Sequence, residues 1–534
     1  MPDLLLYNGK LHTQDPQYPH ASALALRARR ILAVGNDEQV RALAHPQTQQ
    51  IDLEGRRVLP GLTDAHFHFY EWALLLRGLN LKDTSSLEQV QERVHKAASQ
   101  AEPGTWIVGQ GWNQDRWADP RLPSCSDLDQ VAPHNPTILW RTDLHLAWVN
   151  APALQAAEIS AATPDPDMGV IERDQAGQPT GLLRELAINL VRRVMPEVSD
   201  QETDTVMRQA MAKIHRLGLT GIHDFRIMGG ADGPPALRAW QRLRSEGNLD
   251  VRAWVMLPGE LLDQAVTLGL QTGFGDDFVR IGGAKFFSDG ATGPRTAWML
   301  EPFEDAGVGM PLTPMEELAQ GISKAHQAGI STAIHAIGDR AIRELLDVYT
   351  EVLDTQRGRP QPRVPHRIEH VQHSQPDDLK RLGPLGLVAS VQPVHLADDM
   401  SMVDRACGPR GRWTYAFRDL IAAGTVLALG SDCPVASPNP FWGIHAAVTR
   451  QRRDGTPAGG WYPSQCLSVS EAVWGYTMGC AIASGLDKNQ GSLTPGKLAD
   501  LIVLDRDIFN IPPEQIPDTQ VITTVFDGRI VQRQ

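Results

Sequence analysis

The sequence is poor in cysteine, and what it has is arranged unhelpfully for cross-linking. Its five cysteines, Cys125, Cys407, Cys433, Cys466 and Cys480, are odd in number, scattered and without a CxxC pair. That argues against a disulfide framework and fits a reducing compartment. Long apolar runs are missing too: nothing approaches the roughly 18 uninterrupted apolar residues of a membrane-spanning helix. The opening Met1-Pro-Asp-Leu-Leu-Leu-Tyr-Asn-Gly lacks the basic start and long apolar run of a signal peptide. Cationic charge is in deficit, 50 Lys and Arg against 63 Asp and Glu for a formal net charge of -13. Such a surface disfavours a sequence-independent nucleic-acid binder, which needs clustered cations against phosphate. Low-complexity segments and short-period repeats are also absent. What remains is ordinary globular composition, 42% hydrophobic and 21% charged over 534 residues. The expectation is a soluble, cytoplasmic enzyme acting on a small molecule, with no nucleic-acid or membrane partner and homodimerisation left open.

The chain has a rhythm. Eight β-rich runs lie near Val58–Ala65, Gly218–Asp224, Val251–Leu257, Phe278–Phe287, Ile330–His335, His366–His370, Leu387–Gln392 and Thr425–Gly430. They are nearly continuous in apolar residues, as strands buried on both faces of a parallel sheet are. Helical stretches separate them. Ser199 to Leu217 carries Val206, Met207, Ala210, Met211, Ile214 and Leu217 at helical spacing, and Thr313 to Ala328 opens with a Thr-Pro-Met-Glu-Glu start. Eight alternations predict an α/β fold, a (β/α)₈ TIM barrel over 58–487. Between strands one and two, about 70–200 is too long for a connection. It reads as an insertion at the C-terminal rim, lidding the barrel, with its own strand-like runs at Trp106–Gln110 and Thr137–Arg141. Short runs at both ends, 1–57 and 488–534, read as one composite β-sandwich.

Polar residues sit at the ends of these runs, where barrels of this kind keep their active sites. Run one ends in Asp64-Ala-His66-Phe-His68, and alternate strand residues point the same way. In a chain with 17 histidines an HxH alone carries little weight. Run five ends in His335, run six in Arg367-Ile-Glu-His370 and run eight in Gly430-Ser-Asp432. Four imidazoles and a carboxylate converging on one mouth are hard to explain as packing, and they suit zinc or, with nitrogen and oxygen donors, Fe, Mn, Ni or Co. A bound metal lowers the pKa of water from about 15.7 towards 7, and Asp432 is the carboxylate placed to accept its proton. Run four ends in Lys285, which as an ammonium offers no lone pair to a cation. His145, Trp112 and Asp289 are candidate substrate-binding residues: His145 to hydrogen-bond a carbonyl or anchor the insertion, Trp112 as pocket wall or core. Asp289 is also placed to orient ligands from behind them. Glu185 is a weaker candidate, and His373 reads as a supporting or an exposed residue rather than a ligand.

Gly283-Ala-Lys285-Phe-Phe-Ser-Asp-Gly, Ile334-His335-Ala-Ile-Gly-Asp-Arg-Ala, Arg367-Ile-Glu-His370-Val-Gln and Gly430-Ser-Asp432-Cys-Pro-Val resemble the amidohydrolase superfamily. More narrowly they look like its amidohydrolase-3 branch, similar to N-substituted formamide deformylases. Pro495-Gly-Lys-Leu-Ala-Asp-Leu-Ile-Val-Leu-Asp505 is similar to the segment by which the tail rejoins the sandwich in that superfamily. The resemblance implies a binuclear centre, by default two zinc ions. His66 and His68 would hold the inner ion, helped by Asp432, and His335 and His370 the outer one. Lys285 would bridge them as a carbamate, and Asp432 would pass the proton of the attacking water to a leaving amine. The expected activity is hydrolysis of a non-peptide C–N bond, an amide or N-substituted formamide. The rival readings are a metal-dependent deaminase of a heterocycle and a catalytically inactive binding scaffold.

Overall fold

A computed structural model of the chain describes residues 1–142, 144–358 and 361–533. It divides into two compact units, Met1–Phe69 with Met211–Gln534, and Tyr70–Ala210.

The first unit is built on an eight-stranded parallel sheet. Its strands are β1 (Leu62–Phe67), β2 (Leu219–Asp224), β3 (Arg252–Pro258), β4 (Val279–Phe287), β5 (Thr332–Ala336), β6 (Arg367–His370), β7 (Val388–Val391) and β8 (Val426–Leu429). They are hydrogen-bonded in chain order. The first and last meet just past their ends: Asp432 N–H donates to the His66 carbonyl at 2.7 Å and His68 N–H to the Cys433 carbonyl at 2.8 Å. This is the expected TIM barrel, closed at the rim that carries the polar residues. Its connecting helices include α1 (Met315–Gln327), α2 (Asp339–Thr355) and α3 (Pro393–Cys407). α2 is typical: Ala341, Ile342, Leu345, Leu346, Tyr349 and Val352 form its buried stripe.

One expected boundary is corrected. The run Val58–Ala65 is two strands, Arg57–Pro60 in a different sheet and β1 from Leu62 onward. The break falls at Gly61, where a Cβ would lie 2.2 Å from Thr220 Oγ1, so only glycine lets β1 start against β2.

The chain ends supply two further sheets. Arg30–Gly35, Ala23–Arg27, Leu4–Tyr7 and Gln49–Asp52 make one; Arg529–Arg533, Val521–Phe526, Leu501–Leu504, Arg57–Pro60, Lys10–His12 and His20–Ala21 make the other. Leu6, Leu24 and Ile31 from the first pack with Val58, Leu501 and Val525 from the second in one core.

The second unit carries a six-stranded mixed sheet that includes Ile107–Trp112, Thr137–Arg141, Leu146–Val149 and Pro179–Glu185. Trp112, Trp117 and Trp148 pack on one side of it with Leu81, Val90 and Leu139. No helix among the described residues is long and apolar enough to cross a membrane.

Candidate metal centre

His66 and His68 leave the end of β1 on the same side, as alternation requires, and Asp432 enters from the loop after β8. His66 Nε2 lies 3.5 Å and His68 Nε2 3.2 Å from Asp432 Oδ1. For a tetrahedral ion with bonds of about 2.0–2.1 Å, neighbouring donors stand roughly 3.3–3.4 Å apart. All three side chains are buried. The donor set and its spacing fit a divalent cation.

The loops that bring them together are held from behind. Asp64 Oδ1 accepts from the backbone N–H of both His66 and Ser431, each at 3.0 Å, tying β1 to the loop after β8. Gly430 is required for this approach: a Cβ there would lie 2.5 Å from His66 N. Asp432 itself has φ +57°, and His370 and Val371 have φ +73° and +43°. Left-handed backbone costs of order 1–3 kcal/mol per non-glycine residue and persists where the surroundings over-determine it. At His370 the twist has a visible consequence. Strand alternation would put Glu369 and His370 on opposite faces, yet both reach the mouth.

Three of the four expected histidine ligands have one ring nitrogen committed to an acceptor. His66 Nδ1–H donates to Glu369 Oε2 at 2.7 Å, His370 Nδ1–H to Gln392 Oε1 at 2.8 Å, and His335 Nε2–H to the Gly290 carbonyl at 3.0 Å. Each bond fixes the tautomer and leaves the other nitrogen with a lone pair for a ligand, the usual support behind metal-binding imidazoles. Burial, chiefly, pushes the His66 imidazole down to about 4 and that of His370 well below 6.5. Both rings are therefore neutral near pH 7, as ligation demands. For Asp432, burial alone would raise the carboxyl, but His66, His68 and His370 more than reverse this and hold it well below the usual range.

Lys285 ends in the same interior, 2% exposed, with Nζ 4.4 Å from the Phe287 ring centre and 5.2 Å from that of Phe225. No carboxylate lies within ion-pair distance of it among the described residues. Burial lowers its ammonium to about 8, against the raising influence of Glu369 and Asp432.

Other expected residues fall elsewhere. Asp289 is corrected from substrate contact to scaffold: Oδ1 accepts from Ile337 N–H at 3.0 Å, and Oδ2 from Gly338 N–H at 2.7 Å and Trp298 N–H at 2.8 Å. Its carboxylate is spent joining the loops after β4 and β5, and it flanks His335 at 4.0 Å. Trp112 is corrected from pocket wall to core, fully buried with Nε1–H on the Leu139 carbonyl at 2.8 Å. In the second unit His145 Nδ1 and Glu185 Oε2 form a pair at 2.7 Å. His373 is buried rather than exposed, between Thr292 Oγ1 at 2.8 Å and Thr414 Oγ1 at 2.9 Å.

Two residues went unremarked in the sequence. Glu369 anchors His66 and is itself gripped by Arg367, Nε to Oε1 at 2.5 Å and Nη2 to Oε2 at 3.1 Å. Burial would raise its carboxyl, and Arg367 first, then His66, hold it far below the ordinary value. His395, in the first turn of α3, has its Nε2 3.9 Å from Asp432 Oδ2. Its only sequence signal is a position three residues past Gln392, one turn beyond β7.

Comparison with known proteins agrees with this geometry. Over 99% of its length the chain is 35% identical to the protein LONG AFTER FAR-RED 3 of Arabidopsis thaliana, covering 91% of that protein. It is 28% identical to the N-substituted formamide deformylase of Arthrobacter pascens, over 99% of this chain and 98% of that one. A crystal structure of an uncharacterized metal-dependent hydrolase from Pyrococcus horikoshii OT3 superposes with a TM-score of 0.78 at 28% identity, covering 96% of this chain and 99% of that one. The model of the amidohydrolase family matches residues 49–532, and the chain belongs to that family.

Proposed function

We propose that the protein hydrolyses a non-peptide C–N bond in a small molecule, an amide or N-substituted formamide, using one or two divalent cations at the barrel mouth. The observation that carries this reading is the approach of His66 Nε2 and His68 Nε2 to one oxygen of Asp432, with His66 locked from behind by Glu369. The name of the deformylase relative supports the bond type.

His66, His68 and Asp432 would hold one ion, His335 and His370 the other, with zinc the default occupant. A divalent ion bound there would supply Lewis acidity, polarising a scissile carbonyl and lowering the pKa of water. Asp432 keeps its carboxylate ionised at working pH, so it takes the proton of the attacking water and returns it to the departing amine nitrogen. Lys285, buried without a carboxylate partner, reacts as the neutral amine with carbon dioxide: the nitrogen bonds the carbon, one proton leaves, and an anionic carbamate results. Its two oxygens would help to hold the cations and offset part of their charge.

The test is a panel of N-formyl and N-acyl amines offered to metal-replete protein. Amine and free carboxylate or formate should appear, vanish on chelation and return with added metal. Asp432→Asn should lower turnover by about 10²–10⁴ while keeping bound metal, because the amide coordinates but is not a base. Wild-type turnover in that variant overturns the role of Asp432. Ammonia released from a heterocycle, with amides untouched, overturns the bond type.

A further inference from the structure

Asp432 shows its two oxygens to different partners. Oδ1 faces the two β1 histidines, whereas Oδ2 faces His395 Nε2 at 3.9 Å. His370, His395 and Asp432 each place one donor atom within 4.8 Å of the others. The rings of His370 and His395 lie nearly parallel, 17° apart, with centres 6.4 Å apart. His370 Nδ1 is taken by Gln392, the residue that caps α3, so the element that carries His395 also orients His370.

His395 Nε2 is buried and has no hydrogen-bond partner among the described residues. A buried, unsatisfied ring nitrogen is costly and calls for a reason. Hydrogen bonding to Asp432 does not supply one, because 3.9 Å is beyond N–H···O reach. A cation does. With bonds of about 2.1 Å, it sits between Nε2 and Oδ2 after they close by a few tenths of an ångström.

We propose that His395 is a direct ligand of a second cation, held together with His370 and Asp432 Oδ2, so that Asp432 bridges the two positions with one oxygen to each. This adds a donor from the first turn of α3 to the set that the sequence pattern supplied, and it rests on the reading of the barrel mouth as a metal centre. His395 thereby joins a helix N-terminal turn to the catalytic carboxylate. Loss of the second ion should leave Asp432 Oδ2 uncoordinated.

The experiment strips the full-length protein of metal, reloads it with Zn²⁺ or Co²⁺, and counts bound equivalents by elemental analysis and by competition with a chromophoric chelator. Wild type should bind two equivalents. His395→Ala should keep the first at wild-type affinity and bind the second at least about tenfold more weakly, the smallest effect expected of losing a contact to the metal. The Co²⁺ visible spectrum of the second equivalent should change with it. His395→Gln is read in the same way should the alanine variant fail to fold. A second equivalent bound by the variant with unchanged affinity and spectrum overturns the assignment of His395. A wild type that saturates at one equivalent overturns the second position. A wild type that binds none overturns the metal-centre reading on which both stand.

Discussion

Replacing Glu369 with glutamine should weaken cation binding by about 10–100-fold in the folded protein. Glu369 is fully buried and serves two partners: both of its oxygens accept from Arg367, and Oε2 also accepts from His66 Nδ1 at 2.7 Å. Glutamine has one carbonyl oxygen and one NH₂. With its oxygen in the Oε1 position glutamine accepts from Arg367 Nε and turns the NH₂ towards both His66 Nδ1 and Arg367 Nη2; with its oxygen in the Oε2 position it accepts from both of those and turns the NH₂ towards Arg367 Nε. In either orientation the charged acceptor that holds His66 Nδ1–H is lost, so the tautomer that leaves Nε2 its lone pair, 3.5 Å from Asp432 Oδ1, is held less firmly. The expected loss of about 10–100-fold corresponds to about 1.4–2.7 kcal/mol. Zinc titration of stripped protein against a chromophoric chelator reads the affinity, and thermal unfolding in parallel reads the fold. A folded variant with affinity within about a factor of two of wild type, well short of the tenfold floor, refutes the argument.

Lys285→Ala should lose bound metal and activity together, with partial recovery in added acetate or formate; full metal content in the variant rules out the carbamate bridge. A second expectation concerns pH and lies away from the mouth. His366, at the start of β6, is buried with Nδ1 accepting Thr332 N–H at 3.0 Å, and burial lowers it from 6.5 to about 3. The unfolded chain gains this proton near 6.5 and the folded chain only near 3. Its contribution to stability is therefore complete above 6.5 and falls as pH drops through that window, by up to about 5 kcal/mol in all. His366→Gln should flatten the pH dependence of the unfolding free energy between pH 6.5 and 4 by close to one proton; an unchanged slope contradicts this.

The barrel was legible because its strands are buried on both faces and so read as apolar runs, with the candidate ligands at the ends of those runs. Of these, His66, His68 and Asp432 come together in one cluster of donor atoms, and His370 and Asp432 in another. Where local pattern and tertiary context part, the reading failed in identifiable ways. Val58–Ala65 is continuous in hydrophobicity, and only the contact between Gly61 and Thr220 shows that it changes sheet. Asp289 and Trp112 have the right polarity and aromaticity for substrate contact, but backbone N–H groups and a carbonyl claim them, and no spacing rule announces that. Glu369 was hidden by alternation, which assigns it and His370 to opposite faces; the left-handed backbone at His370 sets that rule aside. His395 lies on a helix rather than at a strand end, so the strand pattern gives no sign of it.

The central claim, a cation held by His66, His68 and Asp432 at the barrel mouth, is tested most directly by metal analysis of stripped and reloaded protein beside a folded His66→Ala/His68→Ala variant. Wild type should retain at least one equivalent of Zn²⁺ through extensive dialysis, with extended X-ray absorption showing histidine nitrogens at about 2.0–2.1 Å, and the variant should retain less. Equal retention by wild type and variant, or none by either, contradicts it.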